Sequence, residues 1–110
     1  MSSPSTQNVE EIALERPIGQ ALITHEGGLH ARPSIKVTKL SKRFQSKVWV
    51  GVSPEGPWTD AKSIAKVMAM KTPIQTVIYF TAEGDDAEQA VKALVALVLD
   101  DFADAAGDAA

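Results

Sequence analysis

The chain has no cysteine, so a disulfide framework, a thiolate zinc site and a thiol nucleophile are all excluded. Histidine is nearly as scarce, with two in 110 residues, which is too few for a three-histidine metal centre. Aromatic residues make up 5% of the chain, and the short basic stripe of Arg32, Lys36, Lys39 and Arg43 has no stacking aromatics interleaved as nucleic-acid binding would require. No long apolar run is present, and the opening "MSSPSTQNVEEIALERP" lacks the basic-then-apolar order of a signal peptide or membrane anchor. A cytoplasmic setting without nucleic-acid or membrane partners is the expectation. The net charge of −3 and the 45% hydrophobic content describe an ordinary globular domain of the small kind.

Composition suggests three segments. Residues 1–17 are rich in Ser, Pro, Thr, Gln and Glu and read as a disordered tail or linker. Residues 18–103 carry the periodic patterns of a folded domain, and residues 104–110 read as a second tail, with a helix end expected to fray into it.

Within the domain, "IGQALITH" alternates as a half-buried strand and stops at Gly27-Gly28. From Ala31 to Phe44 the spacing of Pro33, Val37, Leu40 and Phe44 predicts one buried helical face. "KVWVGV" predicts a strand with Val48, Val50 and Val52 on one side, and a short return strand at Trp58-Thr59-Asp60 would set the two tryptophans facing each other. Ile64, Val67 and Met68 give a short helix its apolar side. "QTVIYFTA" predicts a strand with Thr76, Ile78, Phe80 and Ala82 on one face. A last helix opens at Asp85, with Glu88 completing a capping box and Ala87, Val91, Leu94, Val98 and Phe102 on one face. The order β-α-β-β-α-β-α fits an α+β open sandwich, a sheet covered on one side only.

The chemistry concentrates in "EGGLHARPS", residues 26–34. The two glycines permit positive φ and close approach, and Pro33 is tolerated only in a helix's first turn. His30 then falls at the N-cap, beside free main-chain N–H groups and the positive end of the helix dipole. Such a setting disfavours an imidazolium and favours an anion on the ring, so His30 reads as a nucleophile that accepts a phosphoryl group, with Arg32 as a second cationic contact. Local physics also allows a plain cap or a solvated loop histidine. Arg32, Lys36, Lys39 and Arg43 form one basic stripe, and the exposed position of Ile35 beside it suggests a docking surface for acidic proteins. Ser63 reads first as an N-cap and second as a phosphorylation site, flanked by Lys62 and Lys66. His25 reads as structural, and Asp85-Asp86 as helix-start acids rather than metal ligands.

"GLHARPS", the lysine-bearing helix after it, "AKSI" at 61–64 and "AEGDDAEQAVKALVALV" together resemble the histidine-containing phosphocarrier (HPr) family of the bacterial phosphoenolpyruvate-dependent phosphotransferase system. The resemblance runs from about Gln20 to Asp101. It implies an open-faced β-sandwich, a four-stranded antiparallel sheet with three helices on one face. It implies that His30 takes a phosphoryl group on Nδ1 from phosphorylated enzyme I and passes it to IIA-type components, with Arg32 on the phosphate. Ser63 matches the family's regulatory serine, the target of an HPr kinase. Ile35, Ile64 and Met68, with Lys39, Lys42 and Lys66, would dock partners. A monomeric carrier is implied, with no cofactor or metal of its own and no turnover of a small substrate.

The chain departs from the family in places. Ala65 replaces a bulky residue, "KSIAKVM" differs from the usual sequence after the serine, and the loop "VSPEGP" is longer. Lys71 and Gln75 stand where glycines are common, so a turn rebuilt around Pro73 is expected. The long N-terminal segment also resembles an interdomain linker. Two alternatives follow: a regulatory binding module of the same fold, or the HPr domain of a multi-domain phosphotransferase.

Overall fold

The computed structural model describes residues 16–24 and 26–102. The expected tails therefore lie outside the described residues, apart from Arg16 and Pro17, and so does His25. In chain order the elements are β1 (Ile18–Leu22), α1 (Ala31–Ser41), β2 (Lys47–Gly51), β3 (Thr59–Asp60), α2 (Ile64–Ala69), β4 (Val77–Glu83) and α3 (Ala87–Leu99). The four strands form one antiparallel sheet in the order β1-β4-β2-β3. This is the expected β-α-β-β-α-β-α order and an open-faced α+β sandwich.

Alternation along the strands decides which side the helices cover. Ala21, Val48, Val50, Ile78, Phe80 and Ala82 point into the core with Leu94 and Val98 of α3, and all are buried. Gly19 sits beneath α3, where a Cβ would come within 2.9 Å of Val91 and closer still to Val95. Burial of these aliphatic groups supplies most of the drive to fold, on the order of 1.5–3 kcal/mol for each large side chain. Helix α1 packs on α3 and α2 packs on α1, so the three helices share one side.

Several sequence expectations are corrected. Helix α1 stops at Ser41 rather than Phe44, because Arg43 and Phe44 donate to the carbonyls three residues back and tighten the last turn. Strand β2 stops at Gly51, and Val52 is exposed because the chain turns at Ser53–Gly56. Thr76 precedes β4, where its carbonyl accepts from the Ile23 N–H. Helix α2 buries only Val67, since a helix of six residues leans mainly on α1 and the two-residue β3. The cross-strand partner of Trp49 is Asp60, not Trp58, and the indole of Trp49 lies under the Arg16 guanidinium at 4.6 Å.

The capping of α3 is also different. The N-cap is Asp86, and its carboxylate turns away from the helix to accept from the N–H groups of Gln45 and Ser46, both at 2.9 Å, and from the Ser46 hydroxyl. Glu88 instead approaches Lys92 one turn on, an exposed pair of little energetic consequence. The far end of α3 does not fray at once. Phe102 donates to the Leu97 carbonyl and Asp101 to that of Val98, with Asp101 at φ 58°, the bonding of a Schellman cap that buries Phe102.

Candidate functional site around His30

Gly27 and Gly28 adopt φ of 91° and 70°, the left-handed region in which a Cβ is penalised. Space forbids a side chain as well: at Gly28 it would strike the Thr72 carbonyl and Pro73. The Leu29 N–H donates to that same Thr72 carbonyl at 2.8 Å, while the Leu29 side chain is buried in the core. Ser34 closes the turn from the other side, its hydroxyl donating to the Leu29 carbonyl at 3.3 Å. The residue before His30 is thus held by the core, by the segment leading to β4 and by the helix it introduces.

His30 occupies the N-cap of α1 with extended backbone, φ −87° and ψ −161°, and its carbonyl accepts the first helical bond from Ser34 at 3.0 Å. Its imidazole does not cap the helix. The Cδ2–Nε2 edge of the ring lies against Gly27, where a Cβ would be 2.7 Å from Cδ2 and 3.2 Å from Nε2. Nδ1, on the opposite edge, faces away from that glycine. Ala31 and Arg32 stand in the first turn, where main-chain N–H groups have no intrahelical acceptor, and Pro33 has no N–H to satisfy. His30 and Arg32 are both exposed.

The other sequence-nominated residues lie on or at the ends of α1 and α2, which pack on each other. Ile35 on α1 and Ile64 and Met68 on α2 are 41%, 38% and 40% exposed, so none of them serves the core. Lys39, Lys42 and Lys66 are exposed as well, and Arg43 continues the basic side of α1. Ser63 is the N-cap of α2, and its hydroxyl accepts from the Lys66 N–H at 3.3 Å. Lys62 does not simply flank the serine. Its ammonium donates to the Phe44 carbonyl at 2.8 Å and ties the end of α1 to the start of α2.

Sequence reasoning missed Thr72, the residue on which the histidine loop rests. The nearest sequence signal was the pair Lys71 and Gln75, standing where glycines are common in the family; they hold φ of 51° and 72°, a conformation suited to glycine. Gln75 also donates to the Ile23 carbonyl at 2.7 Å, which fastens the segment to the end of β1.

Comparison with known proteins agrees with this geometry. The family model described as the PTS HPr component phosphorylation site matches residues 19–100. The chain is 39% identical over 80 residues to the phosphocarrier protein HPr of Cupriavidus necator, covering 73% of this chain and 88% of that protein. It is 36% identical over 94 residues to a multiphosphoryl transfer protein of Haemophilus influenzae, covering 84% of this chain and only 18% of that relative's length. A crystal structure of HPr from Thermoanaerobacter tengcongensis superposes with a TM-score of 0.72 at 34% identity, over 81% of this chain and 98% of the other. A sheet open on one side, a histidine at the mouth of α1 and these matches along most of the folded region together make the chain a member of the HPr family, the phosphocarriers of the phosphotransferase system.

Proposed function

We propose that this chain carries phosphoryl groups on His30. The observation that carries the reading is the position of the ring: it sits at a helix N-cap without capping, one edge against Gly27 and Nδ1 on the other. The donor is phosphorylated enzyme I. The Nδ1 lone pair attacks phosphorus, the bond from phosphorus to the donor's histidine nitrogen breaks, and its electron pair returns to that nitrogen. The resulting dianionic group meets the first-turn N–H groups of Ala31 and Arg32 and the cationic side chain of Arg32. An exposed product can then be passed to a histidine of a IIA-type component, so the chain acts as a carrier in the cytoplasm rather than as a turnover enzyme.

Ile35, Ile64 and Met68 form the apolar part of the docking surface in this reading, and Lys39, Lys42 and Lys66 its basic rim. Ser63 is a candidate for regulation by an HPr kinase, since added charge at a helix start is tolerated and partner docking surrounds it. The test is incubation with phosphoenolpyruvate and enzyme I, followed by intact mass at neutral pH. One acid-labile phosphoryl group on the wild type and none on His30→Ala supports the reading. An unlabelled wild type, or equal labelling of the variant, refutes it.

A further inference from the structure

Lys39, Lys42 and Lys66 are exposed, whereas Lys62 is half-buried. The turn out of β3 fixes its backbone. The Asp60 carboxylate accepts from the Lys62 main-chain N–H at 2.9 Å, and the Asp60 carbonyl accepts from the Ser63 N–H at 3.1 Å. From there the side chain runs to the Phe44 carbonyl, to which its ammonium donates at 2.8 Å.

The acceptor is as firmly placed as the donor. Phe44 ends the tightened last turn of α1, with its N–H on the Ser41 carbonyl, and its own carbonyl stands at the negative end of the helix dipole, where a cation is favoured. The Phe44 side chain packs against the core, and the next two residues, Gln45 and Ser46, are held by Asp86 at the start of α3. Lys62 therefore reaches from the residue before the N-cap of α2 to a stretch anchored in α1, the core and α3. Helix α2 has little else to fix it. It has six residues and buries one side chain, Val67, yet it carries Ile64 and Met68 of the docking surface, while Ile35 belongs to α1.

We propose that Lys62 is a positioning residue for partner docking: its ammonium on the Phe44 carbonyl straps the start of α2 to the end of α1 and so fixes Ile64 and Met68 relative to Ile35. A partner that meets all three apolar residues binds a surface made of two helices, and play between those helices weakens binding before the transfer step. Lys62 differs in this from Lys39, Lys42 and Lys66, whose exposed charges meet the partner directly. The role rests on the docking surface proposed above, to which it adds the part that holds the two helices in register.

The test uses the full chain. In the wild type the ammonium protons of Lys62 should exchange with water more slowly than those of Lys39, Lys42 and Lys66. Lys62→Met keeps the apolar stem and removes the donor. With phosphoenolpyruvate and enzyme I, KM for this variant as phosphoryl acceptor should rise about fivefold at unchanged kcat, the pattern of lost binding with intact chemistry at His30. The ratio of variant to wild-type KM should persist at about 0.5 M salt, because a bond inside the carrier is screened less than a charge facing the partner. Outside catalysis, the Val67 and Met70 N–H groups of α2 should exchange faster in the variant, with β4 unchanged. A Lys62 ammonium no better protected than the three exposed ones overturns the proposal whether or not the variant folds. A KM ratio that falls to one at high salt also overturns it, since Lys62 would then be a docking cation like the others. Ile64→Asp separates the strap from the surface it serves: a raised KM there with a normal KM for Lys62→Met removes the strap alone, and a normal KM for both removes the docking surface with it.

Discussion

The main-chain N–H of Leu29 donates to the carbonyl of Thr72 at 2.8 Å, joining the loop that presents His30 to the segment that enters β4. The two residues are far apart in sequence, yet this bond and the glycine pair before it decide where the imidazole sits. The orientation of His30 therefore depends on a part of the chain that carries none of its chemistry.

Gly28→Ala is expected to disturb this junction. The new Cβ would meet the Thr72 carbonyl and Pro73 at a φ of 70°, and the strain should cost about 1–3 kcal/mol. Urea unfolding would show the loss, and the rate of phosphorylation by enzyme I should fall with it. A variant as stable as the wild type would mean that the loop is not seated on Thr72.

Lys71→Gly and Gln75→Gly should each stabilise the fold by about 0.5–1 kcal/mol, because a left-handed backbone penalises any Cβ. The net gain is modest, since glycine also loses more entropy on folding. Midpoints of urea unfolding at unchanged slope would measure it. A drop in midpoint for both variants would contradict the conformations at these sites.

Asp86 predicts a pH effect. The Ser46 hydroxyl first, then the Gln45 N–H, and to a smaller extent the Ser46 N–H favour its ionised form and outweigh desolvation, so its pKa lies below the ordinary aspartate value of 3.8. A depressed carboxylate contributes stability that is present above the unfolded pKa and is lost as pH falls through the folded value. Asp86→Asn should therefore be less stable at neutral pH, and the difference from wild type should narrow on acidification below 3.8. Stability curves that stay parallel through that range would show that the carboxylate is not the clamp.

Ser63→Ala removes the side-chain N-cap of α2 and should cost about 0.5–2 kcal/mol. Ser63→Asp keeps a capping oxygen and should recover most of the loss. If the alanine variant is as stable as the wild type, the serine's structural role is negligible and its place at the docking surface becomes the better explanation.

How much of this was legible in the sequence depended on how local the cause was. Strand β4 was legible because Ile78, Phe80 and Ala82 alternate into the core, and the start of α1 because Gly27, Gly28 and Pro33 each restrict the backbone in one way. Asp86 was misread because an acid at a helix start has two uses, and the choice between them was made by Ser46, forty residues earlier in the chain. Ile64 and Met68 were first assigned to a buried side from their spacing, while the resemblance to a known family placed them at a surface. Periodicity cannot tell a covered stripe from a docking one. The stacking of Arg16 on Trp49 had no signal at all, because it joins a residue read as tail to one read as half of a tryptophan pair.

The central claim is that the imidazole of His30, and no other group, receives the phosphoryl transfer. Nitrogen-15 spectra of the histidine rings, recorded before and after addition of enzyme I and phosphoenolpyruvate, address it directly. The account predicts that Nδ1 of His30 shifts to the position of a phosphorylated ring nitrogen while both nitrogens of His25 stay where they were. A shift at His25, or a phosphorylated protein with both rings unchanged, would contradict it.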